Sequence, residues 1–179
     1  MRTFVSINIE DRELIKKIKD VAHEVRNDEY GINLTKDENL HFTLKFLGEI
    51  NEKEKEEIIN NLSKISLKSF SIRLKGLGVF PDLNYIRIIW IGAESQELMQ
   101  LAEEVDKNTI KIKSNEKFVP HLTIARVKAV RDKEGLRERI IKFSKIDLGS
   151  YIVDKFYLME SKLLPEGPIY EPLKVFNLV

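Results

Sequence analysis

"NLHFTLKFLGE", residues 39–49, and "FVPHLTIARV", residues 118–127, decide the fold of this chain. Both are mostly apolar runs of strand length, and each carries a histidine and a threonine two positions apart: His41 with Thr43, and His121 with Thr123. Side chains alternate between the faces of a strand, so each histidine shares a face with its threonine. Phe42, Leu44 and Phe46 then form the core face of the first run, with Leu122 and Ile124 in that role in the second. Lys45 has the parity of His41, which places it in the same groove or on its solvated rim. Arg126 has the opposite parity to His121, so it reaches that groove only if the strand bends or ends there.

Working outward, the first strand spans Thr3 to Ile9, with Phe4, Ser6 and Asn8 on one face, as a groove floor or a water-satisfied surface. Asp11 is placed to cap a helix whose inner face is Leu14, Ile18, Val21 and Val25, and His23 falls opposite that stripe as a solvated histidine. The strand His41 to Leu47 closes at Gly48, and Asn51 with Glu54 can open the next helix as a capping pair, Ile58, Ile59, Leu62 and Ile65 facing inward. A strand "FSIRLKGLGVF" ends this half at Pro81. The second half repeats the order with "YIRIIWIG", a helix from Ser95, the strand Pro120 to Val127, a helix from Asp132 to Phe143, and "YIVDKFYLMES". A turn-rich link, "LLPEGPI", precedes a terminal strand at 170–178.

The order β-α-β-α-β thus occurs twice, over about 1–81 and 82–160, with the two histidines 80 residues apart. That pattern reads as an internal duplication. It predicts an α+β protein, one bilobal domain over 1–179, in which two similar lobes are mostly antiparallel sheets with helices on their outer faces. An approximate two-fold relates the lobes across a central cleft.

Composition narrows the chemistry. The 179 residues are 42% hydrophobic, enough for a packed core, and 30 Lys and Arg oppose 29 Asp and Glu. The net charge of +1 supplies no global field for a long polyanion, so extensive duplex binding is disfavoured. With no cysteine, disulfides, thiolate zinc sites and cysteine nucleophiles are excluded. No apolar run is long enough to cross a membrane, and the expected location is cytoplasmic.

Across a two-fold, the groove would hold two imidazoles with a threonine hydroxyl beside each. In-line displacement at phosphorus needs a proton taken from the entering oxygen and a proton given to the leaving oxygen. With a reference pKa of ~6.5, one histidine can begin neutral and its partner protonated. The hydroxyls can donate to the non-bridging oxygens as charge builds there. A zinc reading lacks a third ligand in register on either strand.

At "HFTLKFLGE" and "PHLTIARV" the sequence resembles the 2H phosphoesterase superfamily, and within it the RNA 2′,3′-cyclic phosphodiesterases, also called 2′-5′ RNA ligases. "RTFVSINI", "GVFPDLNYIRIIWIG" and "GPIYEPLKVFNL" extend the likeness over nearly the whole chain. The resemblance implies hydrolysis of a 2′,3′-cyclic phosphate on RNA or a nucleotide to a 2′-phosphomonoester, without metal or other cofactor. His41 and His121 become the acid/base pair, Thr43 and Thr123 hold the phosphate, and Arg126 helps bind substrate. Tyr170, in "GPIYEPL", lines the cleft or packs in a turn. The lysine-rich "KIKSNEK" touches RNA phosphates or is merely solvated. The implied partner is RNA with a cyclic end, or a cyclic nucleotide, with neither a membrane nor an obligate protein partner. Alternatives are 2′-5′ ligation as the main activity and a silent module that binds RNA ends.

Overall fold

The computed structural model describes residues 1–109, 112 and 117–179. "KIKSNEK" lies outside the described residues except for Ile112 and Lys117. The helices form where the spacing and caps predict. Helix α1 (Arg12–Arg26) follows strand β1 (Arg2–Asn8), and Asp11 accepts from the Leu14 N–H at 2.9 Å. It buries Leu14, Ile18, Ala22 and Val25, so Ala22 takes the inward place expected of Val21, which is only half-buried. His23 is exposed, as predicted, with its Nδ1 3.2 Å from Arg26.

A short strand, β2 (Ile32–Leu34), precedes β3 (His41–Glu49). Three residues with a central asparagine give too little periodicity for sequence reading, and β2 exists because it pairs with a later strand. Helix α2 (Glu52–Leu62) opens on the capping box of Asn51 and Glu54. Then come β4 (Phe70–Asp82), β5 (Tyr85–Glu94), α3 (Gln96–Asn108), β6 (His121–Val127) and α4 (Lys133–Lys142). The predicted strand "YIVDKFYLMES" divides at Asp154 into β7 (Asp147–Val153) and β8 (Lys155–Leu164). The expected link "LLPEGPI" shrinks to a turn at Pro165 and Glu166, so β9 (Gly167–Asn177) starts early and forms a long hairpin with β8.

Among the described residues all nine strands join one sheet, in the order β7-β4-β5-β6-β3-β1-β8-β9, with β2 added to β6. Every neighbouring pair is antiparallel. The order is symmetric about the β6–β3 junction, where only Phe42 and Leu122 are in register. Two four-stranded lobes therefore meet at the histidine strands. Strand β4 pairs with β5 and β7, whereas β8 pairs with β1, so each sequence repeat lends a strand to the other lobe. The helices cross as well: α1 packs on β6 and α4, and α3 on β3 and α2.

The core beneath the junction contains Phe42, Ile7, Ile89, Ile91, Leu98, Leu101 and Leu122, all fully buried. Burying a side chain such as Phe42 contributes about 1.5–3 kcal/mol relative to exposure. The strands that carry the two histidines are thus anchored from behind by the tightest part of the protein.

Candidate active site

The backbone of β3 and β6 carries the same irregularity. Val5 opposes Lys45 and Ser6 opposes Thr43, which leaves Leu44 as an extra residue in β3. Ile89 opposes Ala125 and Trp90 opposes Thr123, which leaves Ile124 extra in β6. Each is a β-bulge three residues after the histidine, and a bulge resets the alternation of the faces. Both strands consequently share one burial pattern: histidine and threonine half-buried, two consecutive inward residues, then one outward.

This corrects two expectations. Lys45 does not share the histidine face, because the bulge turns it inward; its side chain is only 4% exposed and donates to Asp106 at 2.6 Å and to the Thr109 carbonyl at 3.2 Å. Phe46 is not a core residue but is 67% exposed and lines the cavity. The same reset settles the parity objection to Arg126, which is exposed and lines the same cavity. A signal is present in the sequence: Leu47 and Val127 are apolar at the parity of the histidines, as they should be only if the alternation slips before them.

One cavity brings together all five predicted residues, His41, Thr43, His121, Thr123 and Arg126. Each imidazole is oriented by the carbonyl two residues before it. His41 Nδ1 lies 2.6 Å from the Asn39 oxygen, and His121 Nδ1 lies 2.8 Å from the Val119 oxygen. A carbonyl can only accept, so Nδ1 carries the hydrogen in both rings, which leaves Nε2 as the ring atom able to exchange a proton. His41 Nε2 sits 3.0 Å from the Thr43 hydroxyl.

Aromatic rings, which sequence reading only partly anticipates, hold the imidazoles in place. Phe4 lies 5.1 Å from His41 between centroids, and Tyr170 meets that histidine edge-on at 5.2 Å. Phe80 meets His121 edge-on at 5.0 Å, with Trp90 at 6.3 Å. Tyr170 is therefore a cleft residue, placed on β9 opposite Ser161. Of the predicted groove floor only Phe4 reaches the cavity; the Ser6 hydroxyl is buried and donates to Asn8 at 2.8 Å.

Burial is the largest influence on His41 and holds its pKa below the ordinary histidine value. The hydrogen bond to Asn39 pulls it back up, and the charges of His121 and Arg126 push it down. Burial raises the Tyr170 phenol, opposed by Arg126 and Arg2. Among the described residues no three His, Cys, Asp or Glu side chains gather as metal ligands. What the cavity offers an ester is two imidazoles, two hydroxyls and a guanidinium.

The sequence model of the family described as LigT like Phosphoesterase matches this chain twice, over residues 9–90 and 91–170. The chain belongs to the LigT-like phosphoesterase family. A member named RNA 2′,3′-cyclic phosphodiesterase, from Methanocaldococcus jannaschii, is 40% identical over 176 residues, 97% of this chain and 99% of the relative. TT0787 of Thermus thermophilus superposes with a TM-score of 0.85 at 27% identity, covering 99% of this chain and 98% of that one. E. coli LigT, solved in complex with 3′-AMP, gives 0.80 at 26% identity, covering 99% and 97%. The two family matches agree with the symmetric strand order, and the resemblance drawn from the histidine motifs is thereby borne out. No helix among the described residues is long and apolar enough to cross a membrane.

Proposed function

We propose that this LigT-like phosphoesterase hydrolyses the 2′,3′-cyclic phosphate at an RNA end, or on a nucleotide, to a 2′-phosphomonoester without a metal. The observation that carries this reading is the shared geometry of His41 and His121: both rings present Nε2 to one cavity while their Nδ1 hydrogens are fixed on backbone carbonyls. A water oxygen adds to phosphorus as the P–O3′ bond breaks. One Nε2 takes the proton of the water and the other gives a proton to O3′, so the reaction ends with charge balanced. Each such transfer is typically worth ~10²- to 10⁴-fold in rate.

Thr43 and Thr123 donate to the non-bridging oxygens, and Arg126 offsets the anionic charge that grows on them. The aromatic wall of Phe4, Phe46 and Tyr170 gives the terminal nucleoside an apolar surface. A relative named RNA 2′,3′-cyclic phosphodiesterase at 40% identity, and a family member solved in complex with 3′-AMP, support the substrate class.

The test is incubation with RNA bearing a 2′,3′-cyclic end in EDTA, followed by determination of the phosphate position. Release of a 2′-phosphate is expected. A 2′-5′ linked product when 5′-hydroxyl ends are present would make ligation the main activity, and binding without turnover would make the protein a module for RNA ends.

A further inference from the structure

The cavity that holds the histidines has a volume of about 1350 Å³. A small-molecule site usually occupies ~300–1,000 Å³. The surplus continues along one wall, where β2 lies on β6. Thr35 donates to the Thr123 carbonyl at 2.9 Å, Asn33 opposes Arg126, and the Lys128 N–H donates to the Gly31 carbonyl at 2.8 Å. At a strand rise of ~3.3 Å per residue, the wall runs ~17 Å from Thr123 to Lys128.

Charge along this wall is uneven. Lys36, Arg126 and Lys128 line the cavity and have no ion-pair partner among the described residues. The acids beside them are committed: Asp28 pairs with Arg131 at 3.3 Å, and the Glu29 carboxylate accepts the N–H groups of Arg131 and Asp132 at 2.8 and 2.9 Å. The end of β8 and its turn into β9, elsewhere on the cavity lining, present exposed Leu163 and the carboxylate of Glu166. Arg2, near Tyr170, is the one cation added from β1, so a polyanion leaving the histidines meets more unpaired positive charge along the β2–β6 wall than on the side of β8 and β9.

Tyr30 stands at the end of this wall. It is 94% exposed and lines the cavity, and among the described residues its ring has no hydrogen-bond or ring partner. Its backbone is nonetheless pinned on both sides. Glu29 is buried by the bonds just described, and a Cβ at Gly31 would lie 2.0 Å from the Ala129 oxygen, an approach that only glycine permits. The chain holds a large aromatic ring in water on a fixed mount.

We propose that the β2–β6 wall binds the nucleotides upstream of the reacting end in a single-stranded polyribonucleotide, with Lys128 on a backbone phosphate and Tyr30 stacking a base. This rests on the activity proposed above. A cyclic phosphate occupies both O2′ and O3′ of the last ribose, so the rest of the strand can leave only through O5′. It must therefore exit along one wall. Base stacking on an aromatic ring and phosphate contact by a lysine are the two elements of sequence-tolerant single-strand binding.

The experiment compares kcat/KM for a 2′,3′-cyclic mononucleotide with that for a hexaribonucleotide carrying the same end. The parent protein is expected to prefer the hexamer. Tyr30→Ala should reduce that preference on the order of tenfold, and Lys128→Gln should reduce it while lowering the salt dependence of the hexamer rate by about 0.7 in log–log slope. Melting temperatures of both variants should match the parent, since both side chains are exposed. A preference unchanged in both variants overturns the lane and leaves the activity standing. If neither substrate is cleaved, anisotropy of a labelled hexaribonucleotide ending in a 2′-phosphate decides: binding weakened by both substitutions keeps the lane and discards the activity, and no binding at about 50 mM salt discards both.

Discussion

The two halves of the cleft share a backbone and differ in what that backbone delivers. In each, a histidine is fixed by the carbonyl two residues earlier and followed by a bulge that turns the fifth residue after it into the cavity. In the first half that residue is Phe46; in the second it is Arg126. The residue before it points inward in both, as Lys45 tied to the end of α3 and as the small, fully packed Ala125. Duplication kept the geometry of the two imidazoles and let the side chains diverge, so that the pseudo-symmetric site carries Phe46 in one half and Arg126 in the other.

The largest effect tests the shared part. His41→Ala and His121→Ala should each lower turnover at least ~100-fold, because in the proposed reaction each ring handles one proton. Full activity in either variant would break the pairing of the halves. Next comes the divergent part: giving the second half the residue of the first, Arg126→Phe, should lower kcat/KM roughly tenfold to a hundredfold by removing a charge-assisted contact to phosphate. An unaffected rate would show that the guanidinium only occupies the rim.

A smaller effect separates the two inward residues. Lys45→Ala removes a buried ammonium with its methylenes and leaves the Thr109 carbonyl without its donor, so thermal or urea melts should show a loss of about 2 kcal/mol. Asp106→Asn acts on a carboxylate that is 63% exposed and should cost less than ~1 kcal/mol. Equal losses would mean that the ion pair, and not the burial of Lys45, supports the bulge.

The smallest effect lies in the pH profile. Because burial holds His41 below the ordinary value, whichever limb of kcat/KM this ring sets should fall below ~pH 6.5. Arg126→Gln removes one charge that lowers it, so that limb should move up. In stability the same histidine binds fewer protons folded than unfolded. It therefore destabilises the fold as pH drops from ~6.5 through the lowered value, and has no effect above that window. A limb that moves down in the variant would contradict the electrostatic account.

Much of this is legible in the sequence. The caps at Asp11, Asn51, Ser95 and Asp132, the helical stripes and the His-x-Thr pairs are local signals, and they form where local chemistry places them. The bulges escape such a reading because strict alternation assumes a regular pleat, although Leu47 and Val127 betray the slip. Strand β2 and the cavity position of Tyr170 depend on partners far along the chain, β6 for one and the rings of Phe4 and His41 for the other, and no window of sequence contains both members of such a pair.

The exchange of β4 and β8 between lobes has a consequence for how this protein comes into being. A ribosome that has finished the first repeat has made β1 and β3 but not β8, which covers the far edge of β1, and its β4 has no neighbours until β5 and β7 emerge. Sequence-distant pairing of this kind slows folding. Severing the chain between the repeats would yield two interlocking pieces, neither with a closed sheet of its own, so the catalytic cleft arises only when the ends of the molecule find each other.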